Sequence, residues 1–298
     1  MKTQDALREY IKQSEHRVII DGLFCARMSS DIAKKFDAGE YNAQIDEHKK
    51  CINELNKMQI KYPSNAKPVF YLYVVPDENF AELLQYPYKN RKGGGKPVNS
   101  YDMDGFNTAY ASSQNLLLSD KPVGVSQHVN NIHEYAHLIQ GQFGHDAQMF
   151  QEGFAELVPW YVMEYEKKNP MHLTAMRSMN KIYTANELLS SVDFTSGRLP
   201  NMTCSFQPSY MSSYLWVRAV VEHMRSKFNL SRVSVIQKFL ELYRDIKFGK
   251  QLFVKELAKE IGMDADKLLN STEYQNAVLK QIETENVLEN INAKGMEK

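Results

Sequence analysis

Cysteine is scarce in this chain and follows no pattern: Cys25, Cys51 and Cys204 are an odd number without C-x-x-C spacing. That excludes a disulfide framework and a cysteine-rich metal site, and the three read as buried free thiols. An excess of charge is also missing. Lys+Arg and Asp+Glu both number 36, giving zero net charge, which offers no support for nucleic acid or an anionic membrane as main partner. No run of about 18 apolar residues occurs, so no membrane span is expected. The opening "MKTQDALREYIKQSEHRVII" has no apolar stretch behind a basic one and does not look like a secretory signal. Localisation stays open between a cytoplasmic enzyme, export by another route, and a trimmed export signal. The Gly- and Lys-rich stretch from Pro87 to Ser100 is no phosphate cradle, because Pro97 stands where a P-loop needs Ser or Thr after Lys96. It reads as a surface loop. There is no internal repeat and no low-complexity tract.

What is present is a chain of 298 residues, 43% hydrophobic and 24% charged, able to bury a sizeable core as one large or two packed domains. Residues 1–65 read as mostly helical, with Ile45, Ile52, Leu55 and Met58 at helical spacing and Pro63 marking the end. Val69 to Val75 is a β-branched and aromatic run between prolines, and predicts a buried strand. Asp77 should cap a short helix. "GFNTAYASSQNLLLSD" predicts one or two strands, and Ser126 should cap the helix that follows. From Glu152 onward the chain reads as almost entirely helical. Strands before residue 120 and helices after it predict an α+β fold. Three parts are expected: an N-terminal helical region 1–65, an α/β part 66–168, and a helical part 169–298.

Chemistry concentrates in "NNIHEYAHLIQGQFGHDAQMFQEGFAELVPWY". His133 and His137 are four apart and project from one helical face, so two imidazole nitrogens can reach one Zn²⁺. Glu134 points to the neighbouring sector, within reach of a metal-bound water. Val125, Val129, Ile132, Ala136 and Ile139 supply the apolar stripe, and Gly144 can end the helix. Catalytic zinc takes three protein ligands and keeps a position for water. Glu152, fifteen residues after His137 and opening a second helix, is the expected third ligand. Glu156, one turn on, is expected to accept a hydrogen bond from the other ring nitrogen of His133; the exchanged assignment of the two glutamates stays open. Gly153 would let the two helices approach closely. Pro159 should kink or end the glutamate helix, turning Trp160 and Tyr161 into the core.

HEYAH followed by EGFAE resembles the glutamate-zincin metallopeptidases, and "HEYAHLIQGQF" is similar to the active-site helix of bacterial collagenases. The resemblance covers about 30 residues, and the gap from His137 to Glu152 is shorter than in collagenases. The chain also lacks room for a collagenase's large activator domain, so collagen is not an expected substrate. The resemblance implies a zincin-like fold: a small mixed sheet with an edge strand before the zinc helix, then a mainly helical C-terminal part. It implies one zinc per chain on His133, His137 and Glu152, with Glu134 as general base of peptide hydrolysis. "AYASSQNLLLS" would offer the edge that binds an extended peptide. A tyrosine donor to the oxyanion is implied too; Tyr210, in a Pro-x-Tyr setting, is expected, with Tyr214 as substitute. His223 reads as structural, while His128 and His145 are out of phase with the motif. Met163, Trp216 and Phe239 read as core. The expected partner is a peptide or protein substrate. Three rivals remain: a catalytically silent peptidase-fold binding module, a metal-free helical interaction protein, and a zinc hydrolase of a non-peptide amide or ester.

Overall fold

The computed structural model describes residues 16–22, 24–39, 42–63, 70–75, 109–112, 115–119, 128–144, 147–168, 170–190, 192, 208–245 and 250–296. They belong to two compact units, 1–142 and 143–298.

The first unit is built on a mixed five-stranded sheet. Its strands are β1 (His16–Asp21), β2 (Phe24–Met28), β3 (Phe70–Val75), β4 (Ala109–Ser112) and β5 (Asn115–Ser119), in the order β1-β2-β3-β5-β4. β1 and β2 form an antiparallel hairpin, with His16 opposite Met28. β3 runs parallel to both β2 and β5, with Leu72 opposite Ala26 and Leu116. β4 pairs antiparallel with β5, Ala109 opposite Leu118, and forms an edge of the sheet.

Two helices, α1 (Ser30–Asp37) and α2 (Asn42–Asn56), lie in the crossover from β2 to β3. A third, α3 (His128–Gly141), packs on β4 and β5 and against α2. Phe24, Ala26 and Met28 are the buried alternate positions of β2, and the Phe24 ring meets Tyr135 of α3 edge-on at 5.2 Å. Cys51, Ile52, Leu55 and Met58 form the buried stripe of α2.

Three sequence expectations change here. Residues 16–28, expected to be helical, form a hairpin because Val18, Ile19 and Ile20 favour an extended chain and Asp21-Gly22 breaks it. α2 stops at Asn56 rather than at Pro63, since Met58 and Gln59 close tight turns onto Leu55 and Asn56 and Gln59 enters the left-handed region at φ 50°. Cys51 is buried as expected, whereas Cys25 is half-buried. Cys204, the helix expected after Asp77, the Pro87–Ser100 loop, Val125, Ser126 and His145 lie outside the described residues.

The second unit is helical throughout its described residues. It comprises α4 (Gln148–Leu157) with a π-helical continuation (Val158–Val162), α5 (Tyr165–Lys168), α6 (Pro170–Ser178), α7 (Ala185–Ser190) and α8 (Pro208–Phe228). α9 (Arg232–Asp245), α10 (Lys250–Ile261), α11 (Ala265–Asn270) and α12 (Glu273–Met296) complete it. The expected helical C-terminal part is therefore present.

α8 is its axis. Ser209 to Val221 are all buried, the mark of a helix enclosed on every side. The helix packs along α4 and meets α9, α10 and α12. Phe150 of α4 sits 5.6 Å from Trp216 and 4.7 Å from Phe253, while Phe154 stacks on Phe239 at 6.1 Å. Trp216 and Phe239 are core as expected; Met163 is only half-buried.

Gly153 marks the tightest point of this packing. A Cβ there would lie 2.6 Å from the Ser213 carbonyl oxygen and 2.6 Å from Val217 Cγ2. Its missing side chain thus serves the approach of α4 to α8, a helix absent from the sequence argument for that glycine. Gly153→Ala should cost about 1–3 kcal/mol through overpacking, beyond the roughly 1 kcal/mol that alanine gains in helix propensity. Urea unfolding of the variant reads this directly, and wild-type stability would show that α8 yields.

Candidate metal centre

α3 owes its position to its buried, mostly apolar residues. Ile132, Tyr135, Ala136, Leu138 and Ile139 are buried, and between them His133 and His137 fall on one face. His133 is buried and His137 half-buried. Their Nε2 atoms are 3.1 Å apart and the rings lie at 84°, with centroids 4.7 Å apart. Two nitrogens bound tetrahedrally to one ion at about 2.05 Å would be separated by about 3.3 Å, so the pair is spaced for a shared cation. Glu134 is half-buried on the neighbouring sector.

Glu152, on α4 of the second unit, offers a carboxylate oxygen. Glu152 does not open its helix: α4 begins at Gln148, because fully buried Met149 and Phe150 anchor an extra turn. Glu156 is buried one turn further on, and its Oε2 accepts a 2.6 Å hydrogen bond from the Trp160 indole N–H. That indole is carried by the π turn. Pro159 has no N–H to give to the preceding turn, and the chain widens until the Met163 N–H reaches the Val158 carbonyl at 3.0 Å. Trp160 and Tyr161 are consequently buried.

Tyr210 lies within the first turn of α8, one turn before the Ser213 carbonyl that faces Gly153. Tyr214 is committed elsewhere. Its hydroxyl donates to Glu166 Oε1 at 3.1 Å and accepts from the Arg218 guanidinium at 2.7 Å. Arg218 also donates to Glu166 Oε2 at 2.5 Å and stacks over Tyr161 at 4.8 Å. Burial pushes the Glu166 carboxyl above the usual carboxylate range, opposed by Arg218. It also holds the Tyr214 phenol well above its usual value, so this hydroxyl stays protonated. His223 is structural as expected, its Nε2 bonding the Ile261 carbonyl at 2.9 Å.

A cluster absent from the sequence reading lies in the first unit. Glu47, Cys51 and His128 bring one donor atom each within 4.8 Å. Burial, then Glu47 and Glu54, push the Cys51 thiol far up. His128 is out of phase with the motif and turns to α2 instead. The signal available in sequence was Glu47, Cys51 and Glu54 at i, i+4 and i+7.

No family model matches this chain, and no curated protein matches it. Among the described residues no helix is long and apolar enough to cross a membrane.

The Arg218–Glu166 pair behind Tyr161 gives a stability prediction. Arg218 is 1% exposed, so Glu166→Ala strips a buried guanidinium of its closest anion and should cost about 3 kcal/mol. The double variant Glu166→Met/Arg218→Met should lose much less than the two single changes summed. Additive losses in denaturant unfolding would contradict this.

Proposed function

We propose that the chain is a zinc-dependent peptidase of the glutamate-zincin type, its zinc held by His133, His137 and Glu152. One observation carries the reading: on one face of α3 the Nε2 atoms of His133 and His137 stand 3.1 Å apart, the spacing of two imidazoles that share a zinc ion. When bound, the ion would act as a Lewis acid toward the scissile carbonyl and lower the pKa of a coordinated water.

The protein's own groups account for the remaining steps. Glu134, next to a ligand and off the ligand face, takes the proton of the attacking water and delivers it to the leaving amine. The Trp160 indole holds Glu156 at Oε2, and in this reading Glu156 is the carboxylate that would orient the His133 ring once the ion is bound. Tyr210 donates to the oxyanion; the commitment of Tyr214 to Glu166 and Arg218 favours that choice. The peptide lies in extended form along β4. Of the two strands read from "AYASSQNLLLS", β5 already has β3 and β4 on its two sides, whereas β4 is an edge of the sheet. The zincin-like character of the sheet, and a peptide or protein as substrate, belong to this reading.

Two measurements test it. Glu134→Gln should retain its metal and lose about two to four decades of turnover on a peptide library; wild-type turnover would remove Glu134 from its role. Tyr210→Phe should lower kcat by about 10²–10³ with little change in KM, and Tyr214→Phe should mainly lower stability. In metal analysis, His137→Ala should contain one zinc fewer per chain than wild type. Zinc bound without hydrolysis of any peptide would favour the binding module; hydrolysis confined to small amides or esters would favour the non-peptide reading.

A further inference from the structure

Helix α2 carries Glu47, Cys51 and Glu54 on one face, and His128, the first residue of α3, meets them. Cys51 Sγ lies 3.3 Å from His128 Nδ1 and 3.9 Å from Glu47 Oε1, and Glu47 Oε1 contacts the same ring nitrogen. Sulfur and nitrogen ligands on one tetrahedral zinc are about 3.6 Å apart, given bond lengths of about 2.3 and 2.05 Å. The sulfur and nitrogen donors are therefore spaced for such an ion, and the Glu47 carboxylate, in contact with Nδ1, would turn to the ion on binding. On the other side of the ring, His128 Nε2 faces Glu54 Oε2 at 3.4 Å. With an ion at Nδ1 in place of the Glu47 contact, a carboxylate there would hold the proton on Nε2, the arrangement common to metal-binding histidines.

We propose that Glu47, Cys51 and His128 form a second, sulfur-containing metal centre for zinc or a similar borderline-soft divalent ion, with Glu54 orienting the imidazole. The donor set selects the ion. A thiolate disfavours magnesium and calcium, and one sulfur, one nitrogen and one oxygen suit zinc. A thiolate and one carboxylate balance a double positive charge, with the imidazole neutral. Cys51 is buried, while the Glu47 and His128 side chains keep 16% and 14% of their surface exposed, so a water can complete the coordination. The role is structural. The ion would pin the first residue of α3 to α2, about 7.5 Å along the helix from His133. Nothing in this site depends on the peptidase chemistry proposed for His133, His137 and Glu152.

Cobalt(II) separates the two centres, because a thiolate-to-cobalt charge-transfer band in the near ultraviolet requires a sulfur ligand and the His133–His137–Glu152 group has none. The full chain, stripped of metal by a chelator, is titrated with cobalt(II). Wild type should take up two equivalents and develop the band. Cys51→Ser should lose the band and one equivalent, Cys25→Ser should keep both, and His137→Ala should keep the band while losing the other equivalent. Glu54→Gln should retain the band with cobalt bound about 10–100-fold more weakly. Absence of the band from the wild-type protein overturns the proposal whatever the variants do, and so does a band that survives Cys51→Ser. That result would leave His128 as a hydrogen-bonding link between Glu47 and Glu54.

Discussion

Helix α3 answers two demands at once. It must bury Ile132, Tyr135, Ala136 and Ile139 against the sheet and α2, and it must keep two imidazoles on a shared face. A period of 3.6 residues allows both, because apolar side chains spaced three and four apart leave the sector at 133 and 137 continuous. Phe24 locks the packing through its edge contact with Tyr135, and the Tyr135 hydroxyl bonds His48 of α2 at 2.7 Å. Burial, with His128 nearby, lowers the His48 pKa to about 4, so this imidazole is neutral near pH 7. If α3 rotated by one residue, it would exchange its histidine face for its core face. The spacing of His133 and His137 therefore rests on the packing of their neighbours.

The glutamate helix is held by different means within the second unit. Its backbone lies against α8 at Gly153, where no other residue fits without displacing a carbonyl. Its C-terminal end widens into a π turn at Pro159, presenting the Trp160 indole to Glu156. Behind this, Arg218, Glu166, Tyr214 and Tyr161 form a buried polar cluster. Such a cluster is sensitive to the loss of any member, since the charge left behind has no water to turn to. α4 is thereby fixed at its middle and its C-terminal end, a rigidity that a preorganised site requires.

How far the residues announced this differs from place to place. The strands at 70–75 and 115–119 were legible because β-branched, aromatic and leucine-rich runs are short and bounded by breakers. The hairpin at 16–28 was missed although Asp21-Gly22 lay in view, since the flanking charges hid a pattern of only five or six residues per strand. Gly153 was recognised as a point of close approach, but its partner was not, because a glycine specifies a missing side chain and not the neighbour that uses the space. Tyr210 and Tyr214 looked equivalent in sequence; only Glu166 and Arg218 tell them apart.

By itself the sequence determined whatever a single helix can encode. The pairing of His133 with His137, the sector of Glu134, and the turn from Glu152 to Glu156 follow from the rise and rotation of the backbone, which are the same in any helix. Only the tertiary structure decided what depends on distant segments. Cys51 meets His128 across 77 positions and Glu166 meets Arg218 across 52. No local periodicity records such contacts, because they are set by how the hydrophobic faces of separate elements pack and by the strand order that brings those elements together.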